Sequence, residues 1–315
     1  MDDLYFPPVA RFRFSVTATT AVELPPYTGS MWRGVLATAL RQSVCVPRQP
    51  TCEGCLITGF CAFYRFFEQG ARTDPAEPRY ADNSPPFVLT PPPGDRTLAP
   101  GEPLALCLTI IGDSIDWLPY WIYAFQRAGA LGIGRGRGRF VLTQVAQETA
   151  LGTDAWRPIW HPGADDCTLL EPAAVPIPEP PAAADIALLT PLRIKRRGDW
   201  VTPADFTAAE FLYHLCRRLE RLEAQFGQGQ PGRLWDAQRE RIRALPPATT
   251  ALTWHDWTRW SSRQQQHMKL GGLMGRFRLP NGALADLWPL IWLGQYLHIG
   301  KNTSFGLGAY RIAAE

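Results

Sequence analysis

The sequence predicts an α+β fold built twice in tandem, and three observations predict it. Residues 116–140 and 286–310 repeat one pattern, an apolar helix running into a glycine-rich loop and then a strand, at a constant offset of 170 positions. Asp116, Pro119, Gly136, Gly138 and Phe140 fall on Asp286, Pro289, Gly306, Gly308 and Tyr310. A stretch rich in Pro and Ala, EPAAVPIPEPPAAAD, reads as an extended linker between the two copies. Finally, 315 residues with 46% hydrophobic content suffice for two cores of ordinary domain size. Glycine at matched loop positions implies that a backbone comes close to something there.

The elements follow in order. Residues 9–22 alternate apolar and polar, which predicts a strand. After Pro25–Pro26 a helix is expected from Ser30 to Ser43, with Ser30 as N-cap because its hydroxyl can accept a free N–H of the first turn. Residues 44–98 read as an irregular, cysteine-rich insertion. Residues 103–112 predict a buried strand, 116–130 a helix and 139–146 a strand. The second half repeats this with a strand at 186–195, a helix over 203–226 capped by Thr202, and a helical stretch at 233–244. Residues 251–260 fit a strand or a turn. A strand at 270–279, a turn at Asn281–Gly282, and the helix, loop and final strand close the chain. Each half thus reads as a ferredoxin-like (RRM-like) domain, an antiparallel sheet with helices on one face. The expected boundaries are 1–160 for the first domain, with its insertion at 44–98, 161–185 for the linker and 186–315 for the second domain.

Composition narrows the function classes. No apolar run reaches the roughly 18 residues of a spanning helix, and MDDLYFPPVARF has neither the basic start nor the apolar core of a secretory leader. A cytoplasmic protein with no membrane partner is expected. The net charge is only +3, but it is unevenly placed. Residues 127–139 carry Arg127, Arg135, Arg137 and Arg139, and residues 259–278 carry Arg259, Arg263, Lys269, Arg276 and Arg278, both without an acid. Such clusters attract a polyanion, RNA or DNA, or else form solvated surface.

Cys45, Cys52, Cys55 and Cys61 lie within one short segment around CEGC. Four thiolates so spaced could enclose a structural zinc ion; the alternative is a set of buried free cysteines pinning a loop under the first helix. The glycine loops are no dinucleotide fingerprint, which needs a strand before the glycines and a helix after. Here the order is reversed.

Quoted in order, YTGSMWRGVLATALRQ, CEGCLITGFCAFYRFFE, PFVLTPPP, LGIGRGRGRF, LLTPLRIK, WTRWSSRQQQHMKLGGLMG and HIGKNTSFGLGAYRI span nearly the whole chain. With these segments the chain resembles the CRISPR precursor-RNA processing endoribonucleases of the repeat-associated mysterious protein superfamily. The resemblance implies two ferredoxin-like domains, a glycine-rich loop before the last strand, and cleavage of CRISPR repeat RNA without a catalytic cofactor. It also implies repeat RNA as substrate and other CRISPR effector or adaptation proteins as partners. Many relatives carry a histidine at or near the first helix; residues 1–160 here contain none.

Cleavage of this kind has the ribose 2′-hydroxyl attack the adjacent phosphorus, leaving a 2′,3′-cyclic phosphate and a 5′-hydroxyl. It needs a base, an acid and a cation. His298, beside the second glycine loop, is expected as base or acid, with Lys301 as electrostatic stabiliser. His267 is a candidate partner acid, and Tyr27 could supply a hydroxyl in place of the missing histidine. Arg135, Arg137, Arg139, Lys195, Arg259, Arg263, Lys269 and Ser304 are candidate RNA contacts, with Arg196 and Arg197 extending that surface. A non-catalytic RNA-binding subunit with the same double fold, and a zinc-stabilised DNA adaptor, are the competing readings.

Overall fold

The computed structural model describes residues 6–68, 84–171, 177–227, 233–256, 258–261, 266–280, 284 and 287–314. The chain divides into two compact units, residues 7–176 with 225–227, and residues 177–224 with 228–315.

In the N-terminal unit, β1 (Val9–Ala18) buries Ala10, Phe12, Phe14, Val16 and Ala18 and turns Arg11, Arg13, Ser15 and Thr17 to the other face. This is the period-two alternation of a strand with one face on a core. The chain continues through β2 (Val22–Leu24), α1 (Gly29–Val44), β3 (Phe87–Thr90), β4 (Arg96–Leu98), β5 (Pro103–Ile111), α2 (Leu118–Leu131), β6 (Phe140–Glu148) and β7 (Trp156–Trp160). The main sheet has the order β3-β5-β1-β6-β7, with every pair antiparallel, and β2 and β4 form a separate ribbon. Without β7 this is the ferredoxin-like order.

Trp32, Leu36 and Leu40, spaced four apart on α1, are fully buried, as are Trp121, Phe125 and Ala128 on α2. Phe14 stacks on Phe125 at 4.0 Å and Trp32 meets Phe140 edge-on at 5.3 Å, so the helices cover one sheet face. The helix cap differs from expectation. Thr28, not Ser30, is the N-cap, and its hydroxyl donates instead to the Pro92 carbonyl at 2.7 Å. The insertion is also less irregular than expected, for it contains β3, β4 and a wide helical turn at Tyr64–Glu68. Phe66 and Phe67 of that turn pack against Phe87 and Trp121. Beyond β7, Gln147 exchanges hydrogen bonds with the backbone of Leu170, tying the start of the expected linker to β6.

The C-terminal unit runs β8 (Ala184–Leu192), β9 (Lys195–Arg196), β10 (Asp199–Trp200), α3 (Ala208–Phe226), α4 (Arg233–Arg243), β11 (Thr250–His255), β12 (Thr258–Ser261), β13 (Gln266–Lys269), β14 (Gly272–Arg278), α5 (Trp288–Leu297) and β15 (Tyr310–Ala314). Its sheet order, β11-β14-β8-β15, repeats that of the first unit. The undecided segment around 251–260 therefore contains a sheet strand, β11. Phe211 of α3 meets Phe277 and Tyr310 at 5.0 and 5.1 Å, and the Tyr310 hydroxyl donates to the Ile291 carbonyl at 2.6 Å. α3 starts later than expected because Thr207, not Thr202, caps it, accepting the Glu210 N–H at 3.0 Å. The Thr202 hydroxyl is engaged with Asp205 instead. The expected turn at Asn281–Gly282 lies outside the described residues.

Candidate nucleic-acid interface

The second glycine loop is built by its contacts with the exit of β8. His298 leaves α5 with φ +53°, its N–H still bonded to the Gly294 carbonyl at 2.9 Å. The Lys301 N–H donates to the Arg193 carbonyl at 2.8 Å, the Gly308 N–H to Pro191 at 3.1 Å, and the Thr190 hydroxyl to Gly306 at 2.8 Å. A Cβ on Gly300 would stand 2.4 Å from the Arg193 carbonyl oxygen, and one on Gly308 only 1.8 Å from that of Ile299. The close approach implied by the repeated glycines is therefore to the protein's own backbone. The first loop obeys the same rule: a Cβ on Gly134 would meet the Glu23 carbonyl oxygen at 2.1 Å, and one on Gly138 that of Ala21 at 2.2 Å.

Two residues beyond Arg193 the chain forms a hairpin whose two-residue turn, Arg197–Gly198, has φ of +52° and +100°. Positive φ at both central residues suits the twist of a tight hairpin. Lys195, Arg196 and Arg197 are exposed on it, and Arg196 pairs with Asp205 at 3.3 Å. Trp200 holds the base of the hairpin: the Arg193 guanidinium lies 4.3 Å and the Lys195 ammonium 4.7 Å from its ring centre. Arg193 is buried and donates to the Gly271 carbonyl at 2.7 Å. Burial lowers its pKa, and Asp256 opposes that shift. His214, on α3, pairs with Glu210 at 3.2 Å and hydrogen-bonds the backbone of Lys195, so α3 also anchors the hairpin.

One end of the C-terminal unit thus joins Lys301 to the Lys195–Arg197 hairpin through the Arg193 backbone. Such a cationic ribbon can pair with phosphates. Arg135, Arg137 and Arg139 form a separate exposed cluster on the N-terminal unit's loop. Ser304 is buried in a short helical turn, Thr303–Phe305. Arg259, His267 and Lys269 belong to the β12–β13 hairpin, where Trp260 faces His267 across the ladder, but their side chains lie outside the described residues, as does all of Arg263.

The two remaining catalytic candidates are constrained. His298 is 2% exposed. Next to it the buried Arg218 guanidinium donates to the Leu297 carbonyl at 2.8 Å; burial, with Arg221 adding to it, lowers the Arg218 pKa to about 9. Burial pushes the Tyr27 phenol well above its ordinary pKa, so it is a proton donor and no phenolate base at neutral pH. Sequence reasoning missed Arg193, Trp200 and Arg218. The signal for the first two was RIKRRGDW, where glycine after a basic run marks a turn; nothing in the sequence marked Arg218.

The zinc expectation is corrected. Cys45, Cys52, Cys55 and Cys61 do line one small cavity of about 10 Å³. Yet among the described residues no three Cys, His, Asp or Glu side chains come together in a group able to hold a metal ion. The alternative of buried free cysteines is met only in part: the four are free thiols but half-buried, and burial raises the pKa of Cys52. Among the described residues no helix is long and apolar enough to cross a membrane.

Comparison with known proteins agrees with this architecture. Residues 6–172 match the family model AF_1859_N, an N-terminal domain, and residues 186–310 match that of the CRISPR-associated endoribonuclease Cas6. An uncharacterised protein of Archaeoglobus fulgidus is 22% identical over 299 residues, 92% of each chain. Among solved structures, a Cas6 product complex has TM-score 0.57 at 16% identity, covering 98% of this chain and 100% of that one. Thermus thermophilus Cas6 has TM-score 0.53 at 15% identity, covering 98% and 99%. A partial Cas6-RT-Cas1–Cas2 complex has TM-score 0.57 at 13% identity, covering 99% of this chain but only 47% of the matched one. At these identities the likeness to solved structures is one of fold.

Proposed function

We propose that this chain is a CRISPR repeat-processing protein of the repeat-associated mysterious protein superfamily and that it cleaves CRISPR repeat RNA without a metal ion to release guide RNAs; the match of residues 186–310 to the Cas6 endoribonuclease model supports this reading. The observation that carries the reading is the joining of Lys301 to the cationic hairpin through the Arg193 carbonyl. This puts an exposed ammonium on a braced loop beside three further cations, a suitable place for a phosphate whose charge grows in the transition state.

Lys301 is proposed to stabilise that phosphate. Lys195, Arg196, Arg197, Arg259, Arg263 and Lys269, with Arg135, Arg137 and Arg139, are proposed to track the RNA backbone, and Ser304 to support the loop. His267 is proposed as the acid, and Tyr27, kept protonated by burial, as a hydroxyl donor. For His298 a positioning role is proposed in place of the expected base. A group that takes a proton must touch the sugar that gives it, and a ring 2% exposed is better suited to fixing the loop that carries Lys301. Association with other CRISPR proteins is part of the same reading.

The test is incubation of the purified protein with repeat RNA in EDTA. Cleavage to a 2′,3′-cyclic phosphate and a 5′-hydroxyl is expected; an RNA left intact until Mg²⁺ is added would refute the metal-free route. Full protection with or without metal, together with tight binding, would favour a second reading, a non-catalytic guide-RNA-binding subunit. The absence of histidine from residues 1–160 and the burial of His298 favour that alternative.

A further inference from the structure

The main sheet of the N-terminal unit has a second face, opposite its helices, and that face carries an ordered cationic stack. Arg11 and Arg13, two residues apart on the central strand β1, point away from the core that Phe12 and Phe14 fill. Both guanidiniums lie over the indole of Trp156 on β7, at 5.2 and 4.7 Å from its ring centre. The assembly is braced from beneath. Glu148, whose side chain is 1% exposed, accepts from Arg11 at 3.4 Å and from the Asp154 N–H at 2.7 Å. The Asp154 carboxylate in turn accepts the indole N–H of Trp156 at 2.8 Å, and Asp154 adopts φ +53° to do so.

The bracing uses Arg11 and leaves Arg13. Among the described residues Arg13 makes no ion pair, and it is only half-buried. A lone structural cation–π pair needs one guanidinium; here a second is held against the same ring with its fork of donors unspent. Planar groups fixed on a sheet, beside a half-buried cation that can grip a phosphodiester, suit an unpaired nucleotide better than a duplex.

We propose that Arg13 and Trp156, held by Arg11, Glu148 and Asp154, form a binding site for single-stranded RNA on the N-terminal sheet. Arg13 pairs with a phosphate, and the indole and guanidinium planes stack an unpaired base. The inference rests on the RNA reading above and adds a subsite for the unpaired part of the substrate, on a unit that the sequence had credited only with its loop arginines.

The test is fluorescence anisotropy of a labelled oligouridylate, and of repeat RNA, titrated with the full chain across a range of salt concentrations. Arg13→Ala is expected to weaken oligouridylate binding about tenfold, and to flatten the plot of log affinity against log salt by about 0.7, the loss of one phosphate contact. Arg13→Lys should recover the slope but not the affinity, because an ammonium pairs with phosphate without stacking. Arg157→Ala, an equal charge loss on the next residue of β7, whose side chain points to the other face, is expected to bind like wild type. Equal effects of Arg13→Ala and Arg157→Ala, or no effect of Arg13→Ala, would overturn the site while leaving the RNA reading intact. A wild-type chain that binds neither RNA would overturn both. Since Arg13 is not part of the core, thermal melting of the variants should match wild type and confirm that they fold.

Discussion

Gly308→Ala is the sharpest perturbation of the candidate interface, because it separates the cost of an unfavourable backbone from the cost of a collision. Gly308 and Gly136 both have positive φ, +71° and +82°. An alanine in such a conformation costs about 1–2 kcal/mol at either site. At Gly136 nothing lies within 4 Å of the added carbon, so the cost ends there. At Gly308 the carbon would stand 1.8 Å from the Ile299 carbonyl oxygen and 2.8 Å from its carbon, both backbone atoms. The strands of the loop must part, which costs about 1–3 kcal/mol more for overpacking. It also endangers the hydrogen bonds from Ile299 to Gly308 and from Gly308 to Pro191, each worth about 1 kcal/mol. Gly308→Ala is thus expected to lose about 3–6 kcal/mol against about 1–2 for Gly136→Ala. For a unit of this size that is a drop of roughly 10–20 °C against about 5 °C. The assay is differential scanning calorimetry, following the transition of the unit that carries each substitution, since two units need not melt together. Equal melting losses for the two variants would refute the claim that the glycines are required by self-contact. The loop carries Lys301, so RNA cleavage should fall with Gly308→Ala even below its melting temperature.

Other expectations are as direct. Trp200→Ala removes the ring that holds Arg193 and Lys195; it should lower stability by about 1 kcal/mol yet weaken RNA binding about tenfold, read by anisotropy. Lys301→Ala should reduce cleavage at saturating RNA by about 10²–10³ while changing affinity only a few-fold, read in single-turnover assays. Burial holds the His214 imidazole below its ordinary 6.5, with Glu210 opposing. The unfolded chain therefore takes that proton first, stability falls as pH drops below about 6.5, and the loss ends once the folded ring also protonates. Melting curves between about pH 7 and 5 should show this slope in the wild type and a flatter one in His214→Gln.

The double fold was legible because it is written in periodicities. The alternation in VARFRFSV marks a strand with one buried face, and WRGVLATAL places Trp32, Leu36 and Leu40 on one side of a helix. Caps were misread at both long helices because a Ser or Thr signals only the capacity to cap. The N-cap position of the first helix falls on Thr28 rather than Ser30, and Thr202 spends its hydroxyl on Asp205 three residues on, leaving Thr207 to cap the second. The candidate site was half legible. Lys301 and Lys195 could be named from local composition, but their joining depends on a hydrogen bond across more than a hundred residues of sequence. The burial of His298 was hidden for the same reason, since the helix that shields its neighbourhood with Arg218 lies far upstream. The four cysteines show the converse error, a local spacing that suggested a metal centre where the described residues assemble no such group.

The offset of 170 explains where the functional information in the repeat resides. Of the matched glycines, Gly138 and Gly308 press on protein backbone, at Ala21 and Ile299, so their recurrence follows from the fold, while Gly136 meets nothing within 4 Å. The chemistry lies at the positions that do not match. Arg135, Arg137 and Arg139, exposed in the first copy, correspond to Phe305, Leu307 and Ala309 in the second, all of them buried. Lys301, exposed in the second, corresponds to Leu131, half-buried at the end of α2. His298 corresponds to Ala128, and both are buried. A position that faces the interior in both copies belongs to the shared scaffold, whereas a cation that appears outside in one copy alone has no structural counterpart to explain it. That contrast argues for Lys301 over His298 as the group that meets the substrate. It also argues that the two units contribute unequally: the first through its loop arginines and the Arg13–Trp156 pair on its sheet, the second through a lysine loop buttressed by a basic hairpin.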